Sequence, residues 1–409
     1  MPESPAGRLG EVLRYFLRFG FIAFGGPAAH IAMMRRELIN QRRWVSDAEF
    51  VDMLGVTNLI PGPNSTEMTM HLGARRAGWW GLWLAGLGFV LPATVIVLVL
   101  AWAYVEYGST PAGEGIILGI QPFILAVIIQ AIWGLRGAAI KGYETLLLGG
   151  VVALLAVFGA DEIALLLGSG AAMLAVSMAT GALTRNGQKN LPPLPRAGQP
   201  SGRGRGPFRR RDRAIVPFGL PFPALSLPAS APAAYSLGEL FLAFLKIGAI
   251  LYGSGYVLLA FMQAEFVDSR GWLTQQQLVD AIAVGQFTPG PLFSSATFAG
   301  YVIDGVPGAL AATAGLFLPS FVFVAVTHPL VPRLRRSPWA APFLDGVNVA
   351  ALVLMMVVTF QLAGEVLDGW YTVSLFFIGA AVLLRFNPNS AWLVLAGIGA
   401  GLLHAAVTA

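Results

Sequence analysis

Five stretches of this chain, residues 77–105, 115–135, 163–184, 305–332 and 386–409, contain no Asp, Glu, Lys or Arg, and each is long enough to cross a hydrocarbon core of roughly 30 Å. No other feature restricts the fold so strongly. Inside a bilayer every backbone N–H and C=O has to be satisfied within the chain, which leaves helices or a closed barrel, and continuous apolar runs select helices. The expectation is an all-α polytopic membrane protein. Composition agrees: 56% of the 409 residues are hydrophobic and 11% are charged, and the mean hydropathy of +0.70 lies well above that of soluble domains.

The second constraint is an internal repeat. Pro61-Gly62-Pro63 recurs as Pro289-Gly290-Pro291, and at the same offset Gly20 matches Gly248, Gly25 matches Gly253, Glu37 matches Glu265, Trp44 matches Trp272 and Asp52 matches Asp280. Past the triplets the register slips by one residue and continues through Pro92 and Pro319, Gly119 and Gly346, Gln121 and Asn348. Two prolines around a glycine end a helix, because each proline lacks an N–H and crowds the preceding turn. Asn64-Ser65-Thr66 then supplies good N-caps, so a new helix starts there with its free amides facing the break, a setting that attracts anions.

The chain divides into a polar tail over residues 1–10, a membrane domain over 11–185, a Pro-, Gly- and Arg-rich interval over 186–234 and a second membrane domain over 235–409. In the first domain the spacing predicts a helix over 11–34, bent at Gly25-Gly26-Pro27, and a hairpin over 46–76 begun by the capping-box sequence Ser46-Asp47-Ala48-Glu49 and broken at Pro61. Helices over 78–105, 115–135, 144–160 and 162–183 follow. The second domain repeats this with a helix over 237–263, a hairpin over 274–302 and helices over 305–330, 345–364, 370–385 and 390–408.

Placing Arg35, Arg36, Arg42, Arg43, Arg75 and Arg76 together on the cytoplasmic side makes the first hairpin re-entrant and leaves the N-terminus outside. Each domain then makes five crossings, so the second copy is inverted. An inverted repeat with a broken element in each half is the signature of a secondary transporter with its site at the repeat interface. The interval 186–234 reads as a disordered cytoplasmic linker, or else as an arm for anionic lipid or a partner. Trp79, Trp80 and Trp83 read as interfacial anchors. The polar N-terminal tail lacks the form of a cleaved signal, so no processing is expected.

Several residues are candidates for binding an anion or carrying its coupling ion. Arg18 aligns with Lys246 amid apolar neighbours, where a cation either serves the site or snorkels to the surface. Asn64, Ser65 and Thr66, with Ser294 and Ser295 in the second copy, offer neutral donors suited to an oxyanion that binds and leaves; ordinary capping is the alternative. Gly25, Gly26 and Gly253 allow close approach of a backbone or ligand. Glu67, with His71 one turn on, is either a proton-coupling group or a helix-start carboxylate stabilised by the dipole. Asp52 and Asp280 are proton-coupling candidates or partners of loop arginines. There is no cysteine, and His30, His71, His328 and His404 lack ligand spacing, so neither a metal site nor any cofactor is expected. The net charge of +5 sits in loops, which bears on orientation and not on nucleic acid.

Phe24-Gly25-Gly26-Pro27, Gln41-Arg42-Arg43-Trp44, the run from Asn58 to Thr66, Gly73-Ala74-Arg75-Arg76-Ala77-Gly78 and Phe89-Val90-Leu91-Pro92 together resemble the chromate ion transporter family of the two-domain type. The second copy keeps Tyr252-Gly253-Ser254-Gly255, Gly271-Trp272-Leu273 and Gln286-Phe287-Thr288-Pro289-Gly290-Pro291. The resemblance implies a bacterial inner-membrane protein exporting chromate, driven by the proton motive force, with sulfate as a related dianion. The second copy carries Leu292-Phe293 where the first has Asn64-Ser65, which places most ligand contacts in the first hairpin. A passive oxyanion channel is the competing reading, an enzyme is not expected, and a homodimer stays open.

Overall fold

The computed structural model describes residues 4–24, 26–181, 236–252, 257–331, 339–386, 388 and 390–408, and among these there is no strand. The interval 186–234, Gly25 and Gly253 lie outside the described residues.

Ser4 accepts from the Gly7 N–H and caps α1 (Pro5–Ile22). The expected helix to residue 34 is not there. Instead the chain turns back after Ile22 and returns as α2 (Gly26–Arg35), which widens into a π-helical turn over Arg36–Gln41. Arg42 and the Trp44 Nε1–H both donate to the Glu11 carboxylate, at 3.1 and 3.2 Å, and the Trp44 ring meets Tyr15 and Phe16 edge-on. The first element is therefore itself a hairpin. Gly26 stands at φ 77°, which side chains disfavour, and nothing lies close to where its Cβ would be; its freedom serves the turn, not a close approach.

The capping box reads as expected: the Ser46 hydroxyl accepts from the Glu49 N–H, and the Glu49 carboxylate accepts from the Ser46 N–H, opening α3 (Asp47–Thr57). Eleven residues of helix rise about 17 Å, about half a bilayer core. After the break, α4 (Asn64–Tyr107) runs to Ala77–Gly78, where the backbone leaves helical geometry and the chain doubles back. A Cβ on Gly73 would collide with the Gly81 carbonyl across this turn, so the two limbs of α4 touch backbone to backbone. Arg75 donates twice to Glu49 at 2.9 and 3.1 Å, and Arg76 donates to Glu11 at 2.7 Å. The outer ends of both hairpins thus meet at one arginine-rich face, as a re-entrant reading of residues 46–76 requires.

Helices α5 (Pro111–Ala139), α6 (Tyr143–Val157) and α7 (Glu162–Ala179) complete the first half. The second half repeats the sequence of shapes. Its elements are α8 (Leu237–Ile250), α9 (Val257–Met262) with a π turn over Gln263–Ser269, α10 (Gln275–Phe287), α11 (Ser295–Thr327), α12 (Ala340–Val366), α13 (Trp370–Phe386) and α14 (Ser390–Thr408). Lys246 pairs with Glu265, and Phe244 packs on Phe266, closing the α8–α9 hairpin as Glu11 and Arg42 close the first. Asp304 and Gly305 reverse α11, with Gly300 against Gly308 in place of Gly73 against Gly81.

Among the described residues six helices are long and apolar enough to cross a membrane, and α6 and α13 are shorter apolar helices. The long limbs of α4 and α11 meet where Trp83 stacks on Phe321 at 4.8 Å, and Tyr104, near the far end of α4, meets Phe298 in the short limb of α11 at 4.9 Å. Backbone contacts recur between α5 and α14 at Gly119 and Gly397, and between α12 and α7 at Gly346 and Ser169. Small residues let these helices pack without the hydrophobic drive that water supplies.

Candidate functional site

The two Pro-Gly-Pro breaks are held by reciprocal hydrogen bonds. Gly62 donates its N–H to the Leu251 carbonyl at 2.7 Å, and Gly290 donates its N–H to the Ala23 carbonyl at 2.9 Å. Ala23 and Leu251 are related by the same offset as the two glycines, so each break rests on the turn of the first hairpin in the opposite half. The Ala23 carbonyl also accepts from His30 Nε2 at 2.9 Å, which puts the ring proton on that nitrogen. A helix-ending triplet exposes backbone groups, and here the other half satisfies them.

Of the five predicted donors, the structure commits two. The Asn64 side chain donates to Asn58 Oδ1 at 2.7 Å across the break, and the Ser295 hydroxyl donates to the Leu292 carbonyl at 2.9 Å. The hydroxyls of Thr66 and Ser294, which align in the register of the triplets, are buried and have no hydrogen-bond partner among the described residues. Ser65 is buried beside Thr66. The Thr66 and Glu67 amides both turn to the Pro63 carbonyl, which leaves those of Asn64 and Ser65 at the open end of the helix. Two enclosed hydroxyls without partners cost free energy unless a guest uses them.

Glu67 is fully enclosed, and neither of its oxygens makes a well-formed hydrogen bond among the described residues. The Ser320 hydroxyl of α11 faces it, and a Cβ on Gly62 would strike both groups. One turn on, His71 Nδ1 lies 3.1 Å from Nδ1 of His328, a half-buried residue at the end of α11. Sequence spacing treats His328 as isolated; the repeat interface alone brings it to His71. Asp280 is buried and accepts from the Tyr104 hydroxyl and from Gln121 Nε2, both at 2.8 Å. Asp52, its mate, is half-buried in α3.

The two predicted cations are not gathered with these donors. Arg18 is exposed on the outer surface of α1. Lys246 is half exposed and bonded at 2.9 Å to Glu265, which also takes Arg270. Their surface positions match the snorkelling alternative. Charge differs sharply between two cavities. One, of about 550 Å³ between α2 and α3, is lined by Arg35, Arg36, Asn40 and Asp47 at the arginine-rich end. The other, of about 280 Å³, leads to Asp280 and is lined by Glu114, Glu365 and Asp368 with no cation. Among the described residues no group of His, Asp and Glu is arranged to hold a metal ion.

Comparison with known proteins places this architecture. The family described as chromate transporter matches residues 10–174 and 238–402, one copy on each half. A chromate transport protein of Cupriavidus metallidurans is 30% identical over 96% of this chain and 92% of its own length. A chromate transport protein of Pseudomonas aeruginosa is 32% identical over 86% of this chain and 80% of its own, and a probable chromate transport protein of Synechococcus elongatus is 31% identical over 85% and 82%. No solved structure matches. With both halves covered by the family and both breaks in place, this chain belongs to the chromate transporter family.

Proposed function

We propose that the chain is a secondary active transporter that exports chromate, or a related tetrahedral oxyanion such as sulfate, across the bacterial inner membrane, driven by the proton motive force. The observation that carries this reading is the pair of interlocked breaks with unpartnered hydroxyls at Thr66 and Ser294. Neutral donors at helix starts stabilise a dianion without the grip of a full ion pair, so the guest can leave. Glu67 beside the first break is the coupling carboxylate: burying it charged and unpaired costs several kcal/mol, so its proton occupancy and the anion's presence are linked. The arginine-rich end is cytoplasmic by the positive-inside bias and draws anions in, while the acidic cavity at the other end opposes their return. The halves, related by inversion, rock about the breaks and expose the site to each side in turn. Export of this kind confers resistance to chromate.

Everted membrane vesicles test it. Chromate uptake should be uphill, should compete with sulfate, and should collapse with a protonophore. Flux that ignores the proton gradient would identify a passive channel instead.

A further inference from the structure

The repeat gives every position an internal control, and one group of polar residues fails to repeat. Glu67, His71, Ser320 and His328 gather on the first break's side of the α4–α11 contact. The mates of Ser320 and His328 are Ala93 and Ala101. In either register across the hairpin, Glu67 is matched by Ser294 or Ser295 and His71 by Phe298 or Ala299, so the other copy holds no ionisable side chain at any of these places. The titratable groups therefore belong to one copy alone.

We propose that His71 and His328 form a proton relay between Glu67 and the arginine-rich face. The deduction rests on the coupled export argued above and names the path that coupling uses. Two imidazoles with Nδ1 atoms 3.1 Å apart share a single proton, one nitrogen donating and the other accepting. His71 Nε2 is buried with no partner among the described residues, which leaves it free to exchange a proton. Glu67 and His71 are four residues apart on one helical limb, hence neighbours on the same face. His328 is half-buried at the helix end and meets the field of Arg75, whose guanidinium is bound to Glu49 at that face. The charged and titratable groups in reach are Glu67 and Arg75 on the same limb, His328 across the interface, and Tyr252 beside Glu67.

The relay balances. A proton that Glu67 gives up to His71 Nε2, directly or through one water, is matched by release of the His71 Nδ1 proton to His328 Nδ1, and His328 gives up its Nε2 proton at the arginine-rich face, the direction that inward proton flow requires. Return of the rings to their first tautomers resets the path. No electron moves, and one proton is carried for each passage.

The test uses the full chain in proteoliposomes with two readouts, chromate flux driven by a pH gradient and chromate–chromate exchange with no gradient. Wild type should show both. His328→Gln and His71→Gln should lower gradient-driven flux by about 10²-fold, the scale of a lost proton-transfer group, while exchange stays within about twofold of wild type as expected for a group outside the binding donors. Retained exchange also shows that the variants fold. If both variants keep gradient-driven flux, the relay is wrong although the transport reading stands. If wild type itself shows no gradient-driven flux, both fall.

Discussion

A methyl group at Gly62 would run into the Glu67 carboxylate and the Ser320 hydroxyl, and the backbone there holds φ at 135°, where side chains are strained. Gly62→Ala should therefore lower stability by about 1–3 kcal/mol, read as a fall in the unfolding midpoint in detergent. Gly134→Ala is the control, since nothing lies within 4 Å of its Cβ inside α5; replacing a helical glycine there should be neutral or stabilise by up to about 1 kcal/mol. Residue identities thus separate into those forced by backbone shape and those free for chemistry. Asn64 and Ser295 belong to the first group through their bonds to Asn58 and Leu292, whereas Thr66 and Ser294 belong to the second.

At the scale of elements, the α3–α4 hairpin is held shut at its base by the Glu49–Arg75 pair and at its tip by the opposite half, while Thr274 and Gln277 open α10 with a neutral capping box. Glu49 accepts from Ser46 and Arg75, and these bonds hold its carboxyl down to about 2 from the usual 4.5. A depressed carboxylate contributes above its ordinary range and loses that contribution as pH falls through its folded value. Both partners are about half exposed, so Glu49→Gln should cost no more than about 1 kcal/mol at pH 7, and the gap from wild type should close as the pH is lowered from 4.5 towards 2; a gap unchanged by pH would remove the clasp. The second hairpin was legible in the sequence because prolines and a capping box punctuate it. The first was not: α1 and α2 are apolar on both sides of Gly25-Gly26, and the turn carries none of the Asn, Asp or Ser residues that mark turns in water. The donors at the breaks could be named from N-cap chemistry, but which of them stay unpartnered depends on contacts between halves, as does the meeting of His71 with His328.

At the scale of the whole molecule, the extra hairpin changes the topology. With α1 and α2 returning to the face they left, the helix expected over residues 11–34 is not a crossing; among the described residues six helices are long and apolar enough to cross, and α6 and α13 are shorter. The N-terminal end of α1 then lies on the arginine-rich face, beside Arg42 and Arg76. In the proposed inverted arrangement the end of α7 and the start of α8 face opposite compartments. The absence of native cysteine makes this direct to check. Thr180→Cys should react with an impermeant maleimide from the arginine-rich side and Leu237→Cys from the other; labelling of both from one side would contradict the inverted arrangement. The central claim is that the two breaks jointly present donors to an oxyanion, and equilibrium binding of chromate to the purified protein tests it most directly. A hydrogen bond to a charged ligand contributes about 1.5–3 kcal/mol, so Thr66→Ala and Ser294→Ala should each weaken binding by about 10-fold or more, and the double variant should weaken it further. Unchanged affinity in the double variant, with the protein folded, would place the anion elsewhere.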